Sequence, residues 1–133
     1  MRFMVIVKRC EGGKAPSEEL RAAMRNFNDE LTKAGVLVAL EGLYPATQGA
    51  LVKYNGKQRV VTDGPFAETK EAVGGFWLWK CPSKEAAIQW LKKAPFDGGM
   101  EVELRQVFDP DDYAAMFTQE LQQKEERLWR GIQ

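Results

Sequence analysis

The span VVTDGPFAETKEAVGGFW, residues 60–77, gathers Asp63, Glu68, Lys70 and Glu71 between a turn and a glycine pair. Two chemistries compete for Asp63. An aspartate before Gly64 and Pro65 accepts hydrogen bonds from nearby backbone amides, while the glycine permits angles denied to other residues and the proline fixes the exit. Set at a cleft mouth against Phe and Trp side chains, the same carboxyl would be desolvated, raised in pKa and able to act as a general base. Lys70 would then pair a substrate carboxylate or enolate oxygen, with Glu68 or Glu71 holding the lysine in place. The competing role for these three charges is a solvated, salt-bridged loop. Glu41 stands among Val38, Leu40 and Leu43, so its carboxylate must face solvent, a ligand cleft or a cation such as Lys53 or Arg59. Trp77 and Trp79 read as interface aromatics, with Phe76 and Leu78 as the alternate pair for that role, or as a stacking platform for a ligand.

The rest of the composition narrows the chemistry. There is no histidine in the 133 residues, and Cys10 and Cys81 stand far apart, which fits neither a zinc site nor a disulfide framework. Gly74 and Gly75 lie in a strand pattern with no helix start after them, so they mark a bulge or a close backbone approach and not a phosphate loop. No cofactor or metal is expected. Nineteen basic residues balance nineteen acidic ones, leaving no field to hold nucleic acid or an anionic membrane. The apolar run at the start is only five residues long, 3–7, and reads as a strand and not a signal peptide. Two free thiols and the absence of a long apolar segment point to a cytoplasmic protein.

The elements that must position these groups follow from periodicity. RFMVIVK is apolar on both alternating faces, as in a strand covered on both sides. Ser17 opens a helix with Leu20, Ala23, Met24, Phe27, Leu31 and Ala34 on one stripe, and Gly35 stops it. VLVALEGLY is a second strand, and GALVKYNGKQRVVT a hairpin whose Asn55-Gly56 takes the positive φ angles of a tight turn. AVGGFWLWKC is again apolar on both faces. Ser83 opens a second helix with Ala87, Leu91 and Ala94 inward, followed by the strand MEVELRQVF. That strand sets Val102, Leu104 and Phe108 against Glu101, Glu103 and Arg105, as at a sheet edge. A third helix starts at Asp109-Pro110 with Tyr113, Met116, Phe117 and Leu121 on one side, and its last turns lie on the surface.

Without the hairpin and the last helix, the order is βαββαβ, an α+β ferredoxin-like fold: an antiparallel sheet of four strands with two helices on one face. The chain is expected to be one domain, 1–133, with 109–133 as a helical extension. Because the helices cover one side only, the apolar second side calls for a symmetric partner, a homodimer packed sheet to sheet with a cleft for a small ligand. Cys10 and Cys81, beyond the ends of antiparallel neighbours, would lie about 17–20 Å apart, too far for a disulfide, and are expected to stay free.

VTDGPFAETKEAVGGFW resembles the signature of the DGPF-domain branch of the YCII-related proteins, in its Asp-Gly-Pro-Phe and Glu-Thr-Lys-Glu tetrads and the Gly-Gly-Phe after them. EELRAAMRNFNDELTKAGVLVALEGLYP is similar to the family's first helix and second strand, and RQVFDPDDYAAMFTQEL to a tail of some members. The resemblance implies a dimeric α+β barrel of ferredoxin-like subunits and, in some members, a link to sigma factors of the extracytoplasmic-function type. Related proteins are linked to lyase or isomerase chemistry by a His and Asp pair, which a chain without histidine does not have. In EGLYP, where similar members carry His or Gln, Tyr44 stands: a phenol that can donate a hydrogen bond but is a poor base at neutral pH. Two functions follow. One is a dimeric module that binds a small ligand or a regulatory partner. The other is a cofactor-independent enzyme on a small cyclic or conjugated acid, with Asp63 moving the proton and Lys70 or Tyr44 stabilising negative charge.

Overall fold

The computed structural model describes residues 1–9, 16–64, 72–96, 99–116 and 119–132. The elements run β1 (Arg2–Arg9), α1 (Glu18–Lys33), β2 (Leu37–Gly42), a 3-10 turn (Ala46–Gln48), β3 (Ala50–Asn55) and β4 (Gln58–Asp63). There follow β5 (Ala72–Lys80), α2 (Lys84–Lys92), β6 (Val102–Gln106), α3 (Pro110–Met116) and α4 (Gln119–Ile132). Four strands form one sheet in the order β2-β5-β1-β6, and β3 and β4 form a separate ribbon. Every pairing is antiparallel, so this is the expected ferredoxin-like α+β arrangement with the hairpin inserted.

The helices begin where side-chain oxygens satisfy their first amides. Ser17 Oγ accepts from Leu20 N at 3.1 Å, and Ser83 Oγ accepts from Ala86 N at 3.1 Å. Glu18 and Glu19 at the start of α1 and Lys33 at its end suit the helix dipole. The apolar stripe of α1 delivers Phe27 and Leu31 to the sheet, where they meet Phe3 and Val5 of β1 and Trp77 and Trp79 of β5. Phe27 touches both tryptophans edge-on, with centroids at 6.0 and 6.2 Å. Trp90 of α2 adds a third edge contact to Phe27 at 6.4 Å. Trp77 Nε1 donates to Asn28 Oδ1 at 2.9 Å, so this buried polar atom is satisfied from the next residue of α1.

The expectation that Trp77 and Trp79 serve an interface or a ligand is turned around at this point. Both are buried in the helix-side core, because Trp77 lies opposite Val5 and Trp79 opposite Phe3, on the face that α1 covers. Phe76 and Leu78 take the other face, beside Ile6 and Met4. The edge position of β6 is as expected: Val102 and Leu104 pack on the core, while Glu103 is paired with Lys8 at 3.3 Å and Arg105 at 3.7 Å. Phe108 departs from the expected strand face. β6 ends at Gln106, and Phe108 packs on Tyr113 of α3 at 5.1 Å.

In the hairpin, Asn55 pairs with Gln58, so the turn residues are Gly56 and Lys57, one position later than Asn55-Gly56. Gly56 has φ of 59° and no non-glycine residue is at positive φ among those described, which fits a two-residue turn with glycine first. The expected third helix is two, α3 and α4. Asp109 anchors the first: its Oδ1 accepts from Arg2 Nη2 at 3.1 Å and Nε at 3.3 Å, and its own N–H donates to Asp112 Oδ2 at 2.8 Å.

The Asn28 contact gives a measurable consequence. Asn28→Ala leaves the buried indole N–H of Trp77 without its acceptor and should lower stability by about 1–3 kcal/mol in urea unfolding. Trp77→Ala should cost about 3–5 kcal/mol. An Asn28→Ala protein as stable as the parent would show that the indole finds another partner.

Candidate functional site

The two described ends of the 60–77 span converge on one segment of chain. At its start, Asp63 closes β4 opposite Ala50, and Gly64 N–H donates to Gly49 O at 3.0 Å. Gly64 packs so closely on the 3-10 turn that a Cβ there would run into the Ala46 carbonyl. At its end, Gly75 pairs with Gly42, and a Cβ on Gly75 would lie 2.7 Å from Glu41 O. Gly74 O accepts from Leu43 N at 3.0 Å. Gly74 is also the extra residue where the pairing of β5 with β1 slips between Val7 and Lys8. Both readings of the glycine pair, bulge and close approach, therefore hold at once. The span clamps residues 41–46, the exit of β2, between backbone and backbone.

Glu41 and Tyr44 are carried on the clamped segment. Glu41, opposite Phe76, is exposed on the face away from the helices. Arg59 does not answer it: its Nη1 donates to Gly56 O at 2.8 Å and Gln58 O at 3.0 Å, and its guanidinium lies 4.6 Å from the Tyr54 ring centroid. Tyr44 is 82% exposed. Asp63 is exposed too, at a strand end and not in an apolar wall. Asp63 and Tyr44 are thus carried on segments that touch at Gly64 and Ala46, and Glu41 stands where Gly75 approaches the exit of β2, whereas Trp77 and Trp79 lie in the core behind the sheet. Glu68, Lys70 and Glu71, which would complete the charge-stabilising set, lie outside the described residues.

Cys81 is a free thiol, buried against the core. Burial pushes its pKa up, with the ammonium of Met1 pulling part of the way back, so it is a protonated packing residue and not a nucleophile at neutral pH. Cys10 lies outside the described residues. Among the described residues, no group of three or more His, Cys, Asp or Glu side chains could hold a metal ion. No helix among them is long and apolar enough to cross a membrane.

A concavity lies at the opposite end of the sheet. About 440 Å³ is enclosed by Arg2 at the start of β1, Phe108 and Pro110 after β6, Tyr113 of α3, and Glu125, Glu126, Trp129 and Arg130 of α4. Periodicity does not announce this pocket, since its aromatics come from separate elements. The one sequence signal is Trp129, a large aromatic in a mostly polar tail.

Comparison with known proteins bears on the sheet and the clamped corner alike. Residues 1–110 match the YCII-related domain. An uncharacterized protein of Rhizobium meliloti (strain 1021) is 32% identical over 98 residues, covering 71% of this chain and 76% of the relative.

The clamp is open to direct test. Gly64→Ala must displace the Ala46 backbone, so the variant should melt well below the parent, whereas Gly42→Ala, with open space around its Cα, should shift the midpoint far less. Equal melting of the two variants would show that the approach at Gly64 relaxes freely.

Proposed function

The chain belongs to the YCII-related family, and we propose that it is a homodimeric small-ligand-binding module of the family's DGPF branch. The observation that carries this reading is the sheet face away from the helices. Met4 and Ile6 alternate with the buried Phe3 and Val5 and lie in register with Leu78 and Phe76, giving an apolar centre on the two middle strands. Lys8, Glu103, Arg105 and Glu41 surround it. An apolar core with a charged rim is the anatomy of a protein interface. Two such faces packed together would bury the centre and leave the clamped corner of each chain at the mouth of the space between sheets, where a small ligand fits.

A second reading rests on the corner itself. Because Gly64 docks on Ala46, Asp63 and Tyr44 are carried on touching segments, as a cofactor-independent lyase or isomerase acting on a small conjugated acid would require. Asp63 would take the proton and Tyr44 or Lys70 would stabilise the negative charge. The exposure of Asp63 favours the binding module, since the position lacks the water-excluding wall that proton transfer to a bound substrate would use.

Sedimentation equilibrium at micromolar concentration should give a dimer, and Phe76→Asp should give a folded monomer, because the substitution sets a charge in the apolar centre and spares the core. A monomeric parent would overturn the assembly. Asp63→Asn separates the two readings of the corner: loss of stability with ligand affinity kept is the result expected of a turn residue. Parent-like melting with turnover abolished would make the protein an enzyme with Asp63 as its base.

A further inference from the structure

The geometry points to a second ligand site, for a small organic cation, in the pocket between the sheet and the C-terminal helices. It goes beyond the ligand-binding reading and uses none of the clamped corner, and most of its wall comes from residues 113–130, beyond the matched family domain. Three aromatic rings line it. Phe108 and Tyr113 lie 5.1 Å apart at 35°, Tyr113 and Trp129 lie 6.1 Å apart at 63°, and Phe108 and Trp129 remain 45% and 40% exposed. Aromatic rings that stay partly exposed in a concave site attract a cation through their quadrupoles, most of all one with an apolar body.

The charges in the wall fix the sign. The guanidinium of Arg2 is already bound to Asp109 and also donates to Phe108 O at 3.4 Å, so it serves the fold. Arg130 stands four residues after Glu126, the favourable order for a helical ion pair, and in the last turn of α4, where it complements the helix dipole. Glu125 has no such cation: positions 121, 122, 128 and 129 are Leu, Gln, Leu and Trp. It is half-buried, lines the pocket, and has no ion pair among the described residues. A half-buried carboxylate in one wall with partly exposed aromatic rings is matched by an ammonium group. Asp109 behind Arg2 leaves the pocket with a net negative charge, which disfavours a carboxylate ligand.

Calorimetric titration with benzyltrimethylammonium, benzyl alcohol and benzoate at low ionic strength tests the site. The cation should bind once per chain, more tightly than the alcohol, and benzoate most weakly. Glu125→Gln should weaken the cation by about tenfold and leave the alcohol unchanged, a loss within reach of one partly desolvated charge pair. Trp129→Ala should weaken both. No binding of the cation by the parent, benzoate binding as tightly as the cation, or an unchanged cation affinity in Glu125→Gln would each overturn the site. Sedimentation of the same samples keeps the readings apart, because a monomer that binds the cation removes the proposed dimer and leaves this pocket standing.

Discussion

The packing of Phe27 against Trp77 and Trp79 is the contact on which the rest depends. It commits the largest side chains of β5 to the face under α1, and with them every alternate residue of the neighbouring strands in register. A slip of one residue would send both indoles to the uncovered side and bring Phe76 and Leu78 under the helices. The hydrogen bond from Trp77 to Asn28 opposes that slip, since it would strand an indole N–H away from its acceptor. The aromatic core therefore decides what the face away from the helices carries: Met4, Ile6, Phe76 and Leu78, all half-buried and with smaller side chains than the tryptophans.

The same strand carries Gly75, one of the two glycines that clamp the β2 exit. Gly75 allows the Glu41 carbonyl to come within a distance no side chain would permit, and Gly64 does the same for the Ala46 carbonyl from the other end of the span. The chemistry-bearing look of the 60–77 sequence thus has a steric part. Its glycines hold backbone against backbone, and what they hold is the short segment that presents Glu41 and Tyr44. A motif can be specific because its geometry is demanding, whether or not a proton is ever moved there.

Much of this was legible in the sequence, for identifiable reasons. Ser17 and Ser83 as caps, the stripe of Phe27 and Leu31, the hairpin, and the alternation of Val102 and Leu104 with Glu103 and Arg105 are local signals, and the structure has them where they were expected. The side of β5 that turns inward was not legible, because both of its faces are apolar and period alone cannot choose between them. The turn in the hairpin moved by one residue, since Asn55 is drawn into pairing with Gln58. Phe108 fits the parity of β6, but Val107 N–H donates to Arg2 O at 2.9 Å and the chain then turns away, so the ring meets Tyr113 and not the core. The corner was legible in its parts, Asp63, Tyr44 and Glu41, but not as a corner, because no periodic signal joins Gly64 to Ala46.

The exit of β6 links the two ends of the molecule. Arg2 is the first residue of β1, yet its guanidinium binds Asp109, the residue before α3, so the start of the sheet and the last residues of the matched domain share an ion pair and a carbonyl contact at Phe108. Such a pair, with both partners partly exposed, contributes little to global stability. Its geometric effect is larger: it sets the direction in which α3 leaves the sheet, and with it the distance between Phe108 and the rings of Tyr113 and Trp129. A sheet edge that ends in an anchored turn can accept an added helix without disturbing the core, because the added packing involves the strand ends and not the residues under α1. The clamped corner and the aromatic pocket therefore rest on different contacts: one is fixed by backbone approach at Gly64 and Gly75, the other by side chains that come mostly from beyond the matched domain and meet Arg2, Phe108 and Pro110 within it.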